Sequence, residues 1–402
     1  NCIIVINTRK LDGGIHEYYK HGDLFLRFGV YSELVAFFKR FGDQVRKIEF
    51  DGRLDEKNAR DNIRNNEMRT NIINHIRSCA NNLEELRIRT DNDEEFWKDI
   101  LDGENEIIFP EVKKFQIDGE SKREEFKLNR IFPKLESFIL LGDIADESCL
   151  ANVTGLKELT LFSDNIEEGQ YEDIFKNNKN IRKITLIPDE KETVQWIAEH
   201  LTKLETLVIR SPTKNFLLRE NNDTLYELPS VTHFHILFAA RDELQIEDFS
   251  FDMPHLKKLF VEGHGADDRI VNFINHFKEL ETVAVFVKKF NAIKFINKLE
   301  HIKEFTTFIF EDDFVSLENM FEHFDEQSEL QTLKLVYFDE SLYGLYEANM
   351  KKIEKSLKPK WALSHGEQIR TPLKYFMFRR TPCSMNMQVS QEISGFCFDS
   401  NI

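Results

Sequence analysis

His233 and His235 stand two residues apart in a strand-like run, a spacing that puts both imidazoles on one face, as paired metal ligands require. Beside them the pattern places Thr206, Val208 and Arg210 on one side, and Lys258, Phe260 and Glu262 on the other. One carboxylate among cations is a poor completion of a metal site, so no metal is expected and both histidines are read as contact residues. Gly263-His264-Gly265 lacks the third glycine, the lysine and the acidic partner of a phosphate loop, and reads as a turn after a strand. No Gly-x-Ser-x-Gly, His-Glu-x-x-His or Cys-x-x-Cys occurs. With no acid, base and nucleophile to assemble, the expectation is a non-enzyme with no catalytic residue and no cofactor. The acidic runs Asp91 to Glu95, Glu311 to Asp313 and Asp339-Glu340 fall where helices should begin, and are read as solvated caps favoured by the helix dipole.

Composition narrows the partner class. Acidic residues outnumber basic ones by 71 to 54, giving a formal charge of -17 over 402 residues, so nucleic acid and anionic membrane are poor partners. No apolar run approaches the roughly 20 residues that cross a bilayer as a helix. The five cysteines are odd in number, scattered and never at metal-ligand spacing, which predicts reduced thiols in the cytoplasm or nucleus. Two sequons, at Asn152 and Asn222, are matches of the kind that arise by chance. The chain opens at Asn1 with Ile3 to Ile6 already strand-like, which predicts sequence upstream, either a cleaved leader or, as the cysteines favour, the rest of a longer product.

The elements that must position any site come from a repeat. A hexamer of apolar residues at its first, fourth and sixth places begins at Val45, Leu83, Val112, Leu135, Leu156 and Ile181, then at Leu204, Val231, Leu256, Leu280, Ile302 and Leu330. The Ile302 copy is degenerate, and Leu373 is a candidate to close the series. Most starts are separated by the roughly 20 to 29 residues of a leucine-rich repeat. A short strand sends its fourth and sixth side chains to one face, and stacked neighbours bury that face together where one repeat alone cannot. The return segments carry helical spacing: Tyr171, Ile174 and Phe175; Val194, Trp196 and Ile197; Ile270, Phe273, Ile274 and Phe277; Leu317, Met320, Phe321 and Phe324. Pro110, Pro133, Pro229 and Pro254 precede strands, where proline stops the helix and extends the chain. The expected fold is therefore α/β, a leucine-rich-repeat solenoid in which a curved βα horseshoe carries a parallel concave sheet.

The expected organisation is an irregular leading element over 1–44, the repeat array over 45–357 without a break, a closing cap over 358–380 and a flexible tail over 381–402. Within the leading element, strands Cys2 to Ile6 and Leu24 to Phe28 precede a helix from an N-cap at Ser32 to Phe41. The cap is expected to pair Trp361 to Leu363 with Leu373 to Phe378.

The third, fifth and seventh places of each repeat face away from the core. In the first repeats these columns are charged: Lys47, Glu49 and Asp51, then Glu85, Arg87 and Arg89, then Lys114, Gln116 and Asp118. They then turn apolar and aromatic: Ile139, Leu141, Phe162, Ile187 and Val208, next His233, His235 and Leu237, and finally Phe260, Phe286 and Phe308. Such a run on a sheet surface marks a protein-binding face, with apolar residues as hot spots and Arg87 and Arg89 among the charges that orient the partner. The competing account is that these positions follow strand propensity, or lie under a loop or tail and serve stability alone.

After each strand the chain has Asp, Gly, Ser or Thr where secreted leucine-rich repeats have an asparagine ladder. With the segment Phe41 to Phe50, Phe-Gly-Asp-Gln-Val-Arg-Lys-Ile-Glu-Phe, the chain resembles the intracellular F-box/leucine-rich-repeat proteins, particularly the divergent insect type. That resemblance covers about residues 1–380. It implies a substrate-recognition module of a ubiquitin ligase, with no catalytic side chain of its own. The Leu-Pro-x-Glu opening of an F-box is not found here, so a Skp-type adaptor and a cullin are partners only if an F-box lies upstream. The alternatives are an intracellular scaffold or regulator with no ligase link, and a secreted leucine-rich-repeat recognition protein.

Overall fold

The computed structural model describes residues 2–7, 15–20, 23–28, 31–51, 70, 73–89, 107–118, 128–142, 148–162, 169–188, 192–210, 225–237, 251–264, 268–288, 296, 299, 301–308, 329–337, 348, 350, 352–353, 361–367 and 374–380. The chain divides into two compact units, Asn1–Leu204 and Glu205–Ile402. Each is an α/β unit built on a mostly parallel sheet.

In the N-terminal unit the strands are β1 (Cys2–Asn7), β2 (Ile15–Lys20), β3 (Asp23–Phe28), β4 (Lys47–Asp51), β5 (Glu85–Arg89), β6 (Lys114–Asp118), β7 (Ser137–Leu141), β8 (Glu158–Phe162) and β9 (Lys183–Leu186). From β4 to β9 each strand lies parallel to the next, and Lys47, Glu85, Lys114, Ser137, Glu158 and Lys183 are successive register partners. These are the third residues of six consecutive hexamers, so the repeat read in the sequence is also the repeat of the backbone. The leading residues join this sheet. Strand β1 runs parallel to both β3 and β4, and β2, which hydrophobic pattern did not reveal, pairs antiparallel with β3. Helix α1 spans Tyr31–Phe41, so Ser32 sits inside its first turn and not at the N-cap.

The C-terminal unit holds β10 (Thr206–Arg210), β11 (Tyr226–Glu227), β12 (His233–Leu237), β13 (Phe251–Asp252), β14 (Lys258–His264), β15 (Thr282–Lys288), β16 (Glu304–Phe308), β17 (Thr332–Tyr337), β18 (Trp361–Glu367) and β19 (Lys374–Arg380). Strands β10, β12, β14, β15, β16 and β17 are parallel neighbours in that order, again with third residues opposed, from Thr206 and His233 to Glu304 and Thr332. The hexamer at Leu373 reverses the direction: β19 is antiparallel to β17 and to β18. The short β11 and β13 form a separate parallel pair.

First, fourth and sixth residues form the core on one side of each sheet. Leu83, Leu86 and Ile88, Val112, Phe115 and Ile117, and Leu256, Leu259 and Val261 are all buried, each contributing about 1.5–3 kcal/mol over exposure. Between the strands the chain forms helices α2 (Leu128–Ile131), α3 (Ser148–Ala151), α4 (Gln170–Asn177), α5 (Glu192–His200) and α6 (Asp268–His276). Tyr171, Ile174 and Phe175 of α4, Val194 and Ile197 of α5, and Ile270, Phe273 and Ile274 of α6 are buried, at the helical spacing expected of them. The return segment from Leu317 to Phe324 lies outside the described residues.

Most of the repeat strands are launched by a tight turn. The N–H of the hexamer's first residue donates to the carbonyl three residues earlier, as from Val112 to Phe109 at 3.3 Å, Leu135 to Phe132 at 3.2 Å, Val231 to Leu228 at 3.1 Å and Leu256 to Met253 at 3.1 Å. Pro110, Pro133, Pro229 and Pro254 occupy the second place of these four-residue turns, where a fixed φ near -65° is already correct. Proline therefore pre-sets a turn here, a more specific task than ending a helix. One step later the carbonyl of the hexamer's second residue accepts two N–H groups from the next repeat, as Arg46 does from Glu84 at 2.7 Å and Glu85 at 3.0 Å. Glu84, Lys113, Glu136 and Lys157 repeat this bond in the first unit, and Glu205, Thr232, Lys257, Glu281 and Lys303 in the second.

Candidate interaction face of the sheets

Third, fifth and seventh residues share the sheet face opposite the core. In the N-terminal unit this face begins as a network of charges. Lys47 Nζ lies 3.2 Å from Glu85 Oε2, Arg87 Nη2 2.6 Å from Glu85 Oε1, Arg87 Nη1 3.8 Å from Glu49 Oε2, and Arg89 Nε 3.1 Å from Asp118 Oδ2. Burial alone would raise the Glu85 carboxyl, but Arg87, Lys114 and Lys47 together outweigh it and hold the group below the usual carboxylate range. Arg87 and Arg89 thus lie where the repeat predicts, with their guanidinium groups already committed to carboxylates, Arg87 chiefly to Glu85 of its own strand and Arg89 to Asp118 of the next. A partner that recruits them must replace those bonds.

The register carries this charged region into an apolar one. Gln116 is opposite Ile139 and Asp118 opposite Leu141, and Leu141 is in turn opposite Phe162. Ile139, Leu141 and Phe162 are half-buried, as is Ile187, which follows the last residue of β9. Four apolar side chains of one unit therefore keep part of their surface open on the side away from the core.

The C-terminal unit treats the same face differently. Val208 is opposite His235 and His235 opposite Phe260, while Leu237 stands between Arg210 and Glu262. His233 is half-buried, its Nδ1 2.9 Å from the Thr232 hydroxyl. His235 meets Phe260 edge-on, with centroids 4.1 Å apart. Its Nε2 is buried without a hydrogen-bond partner, 3.9 Å from Glu262 Oε2, and burial draws the imidazole below the ordinary histidine range. Phe260 packs on Phe286 with centroids 5.1 Å apart; with Ala284 and Val336 they form a closed cluster against Tyr375.

Phe260 and Phe286 are only 5% and 4% exposed, so neither ring offers a contact surface unless this layer opens. Phe308 is placed by its backbone opposite Val336, and its side chain lies outside the described residues. At the end of the cluster, Lys334 Nζ rests 3.9 Å over the Tyr375 ring, and burial lowers the pKa of its ammonium.

The remaining candidates have plainer positions. Among the described residues no group of three or more His, Cys, Asp or Glu is placed to hold a metal. Gly263 and His264 belong to β14, opposite Val287 and Lys288, and not to a turn as the sequence suggested; Gly265 lies outside the described residues. The acidic runs Asp91 to Glu95, Glu311 to Asp313 and Asp339-Glu340 also lie outside them. Cys79 is a buried free thiol, its pKa raised by that burial. No helix among the described residues is long and apolar enough to cross a membrane.

Two features escaped the sequence. Asn178 is buried, and its side chain laces neighbouring repeats: Oδ1 accepts the Leu156 N–H at 3.1 Å, and Nδ2 donates to the carbonyls of Val153 at 2.8 Å and Ile174 at 2.9 Å. The second is a rim of exposed pairs joining several repeats to their neighbours, including Lys134 with Glu111 at 2.6 Å, Lys157 with Glu136 at 2.9 Å, His255 with Glu279 at 3.0 Å and Lys303 with Glu281 at 2.6 Å. The hexamer's second place carries part of this signal in the sequence, since Arg46, Glu84, Lys113, Glu136 and Lys157 alternate in sign. Compared with known proteins, the chain matches no family model and no curated protein sequence.

Proposed function

We propose that this chain is a non-catalytic protein-binding module of the leucine-rich-repeat type, and that the N-terminal unit's outer sheet face receives the partner. The observation that supports it is the half-buried group Ile139, Leu141 and Phe162, standing in register beside the paired charges of Arg87, Arg89 and Asp118. An apolar centre bordered by polar groups is the anatomy of a recognition patch. The narrower reading is that the module selects substrates for an F-box-type ubiquitin ligase, in the cytoplasm or nucleus. That reading rests on the resemblance of the repeats and of Phe41 to Phe50, and it brings a Skp-type adaptor and cullin as partners only through an upstream F-box.

The test is affinity capture by the full chain and by a variant carrying Leu141→Ala and Phe162→Ala together. The expected result is loss of the captured proteins at an unchanged melting temperature. Identical captured sets from a folded variant would sink the binding face. The ligase reading stands apart from it: a captured protein whose turnover in cells is insensitive to removal of this protein leaves a scaffold and removes the ligase.

A further inference from the structure

We propose that the C-terminal unit's sheet continues into a second copy of the chain, β18 pairing antiparallel with its own counterpart across a two-fold axis at Ser364. Among the described residues β18 pairs with β19 alone, and none of them occupies its other edge. Natural edge strands are blunted by lysine, proline, a bulge or very short length. Strand β18 has none of these: it holds seven consecutive register pairs with β19, from Trp361 opposite Arg380 to Glu367 opposite Lys374, without interruption. Its sequence, Trp-Ala-Leu-Ser-His-Gly-Glu, contains no lysine or proline, and its one carboxylate stands at the end. The other hairpin strand, β2, carries Glu17 and Lys20 in six residues.

The occupant follows from self-complementarity. With the axis at Ser364, Trp361 faces Glu367 of the copy, Ala362 faces Gly366 and Leu363 faces His365. No like charges are opposed in that register, and an isologous pair needs only one surface to match itself. Among the described residues, burial of the core row also falls off toward this edge. Leu333 and Phe378 are opposed and fully buried, whereas Leu363, the next partner in the row, is only half-buried. A second copy extends that row and covers Leu363. Ala362 and Ser364 are exposed on the other face, so no described side chain stands over the strand there.

The formal charge of -17 on each chain opposes association at long range, while the pairing strand itself is nearly neutral. Salt therefore strengthens this dimer, the reverse of an interface held by opposite charges. Light scattering of the full chain is expected to give twice the chain mass, with association tightening as salt rises. Ser364→Lys and Ser364→Glu each place like charges on the axis and each give a single-chain mass, with the melting temperature of each variant certifying its fold. An equimolar mixture of the two restores the doubled mass, because lysine then faces glutamate. Ala362→Lys, at a second exposed position, likewise abolishes dimers if Ser364 variants fold poorly. A single-chain mass for the unaltered protein at every salt concentration overturns the proposal, as do dimers that persist in these variants or a mixture that stays monomeric.

Discussion

The outer sheet faces of the two units use the same three positions of the same hexamer, yet one is a lattice of charges with an apolar margin and the other is a closed cluster of rings. In the N-terminal unit Glu85 is buried because Lys47 and Arg87 surround it, and Leu141 and Phe162 keep part of their surface open. In the C-terminal unit Phe260, Ala284, Phe286 and Val336 are as buried as the core on the far side of their sheet. The contrast teaches that a column of phenylalanines on the outward positions of a repeat is no measure of a docking surface. Large rings gain most from burial, and wherever the chain can cover them they become a second core. The smaller, half-covered apolar residues beside a charged region are the better candidates for recognition.

The sharpest break of this comparison is truncation of the rings. Phe260→Ala is expected to cost about 3–5 kcal/mol in denaturant unfolding, as for a core phenylalanine, while Leu141→Ala costs about 1 kcal/mol. Similar small costs for both would return Phe260 to the surface and undo the distinction.

Asn178→Ala comes next, at about 2–3 kcal/mol, because it strands the Leu156 N–H and two carbonyls in a buried turn. Its loss locates the N-terminal unit's polar stability beneath the sheet instead of on the outer face. An effect under about 0.5 kcal/mol in the same unfolding assay would mean that water replaces those bonds freely.

The smallest effect separates the units by pH. His235 has its pKa lowered by burial in the folded state, so the unfolded chain binds the proton more readily. Stability is then full above the ordinary histidine value of 6.5 and falls as pH drops from there toward the folded value. Glu85 is also lowered, through its cations, so its contribution is complete above the ordinary glutamate value of 4.5 and is lost as pH falls from there through the folded value. Unfolding measured against pH should therefore soften first through His235 and only later through Glu85. His235→Gln flattens the slope just below pH 6.5 and Glu85→Gln the slope below 4.5. A slope near neutrality that survives His235→Gln assigns it to another group.

Most of the strands were legible because a buried hexamer leaves three fixed apolar places, and eleven such hexamers from Val45 to Leu330, with the degenerate copy at Ile302, all became strands. Strand β2 was not, since Ile15 to Lys20 carries charge at Glu17 and Lys20 and belongs to no repeat. Which outward residues would be covered was not legible either. Alternation tells which face Phe260 and Leu141 share, but covering them depends on chain distant in sequence, and the hexamer carries no trace of it. Asn178 was hidden for another reason: its counterparts Phe109, Phe132 and Met253 are apolar, and one polar member of an apolar column looks like noise until its three bonds are seen.

The paired acceptance by carbonyls such as Arg46 and Lys257 fixes each strand to its neighbour at the end where the strand begins. Register is thereby settled before the strand is finished, and whatever length follows it is free to vary. That is why Val45 and Leu83 can be much farther apart in sequence than Leu135 and Leu156 while their strands stack alike. Insertions acquired after a strand enlarge the molecule without shifting a single neighbour, so such an architecture can gain new segments on one border while the opposite border stays fixed.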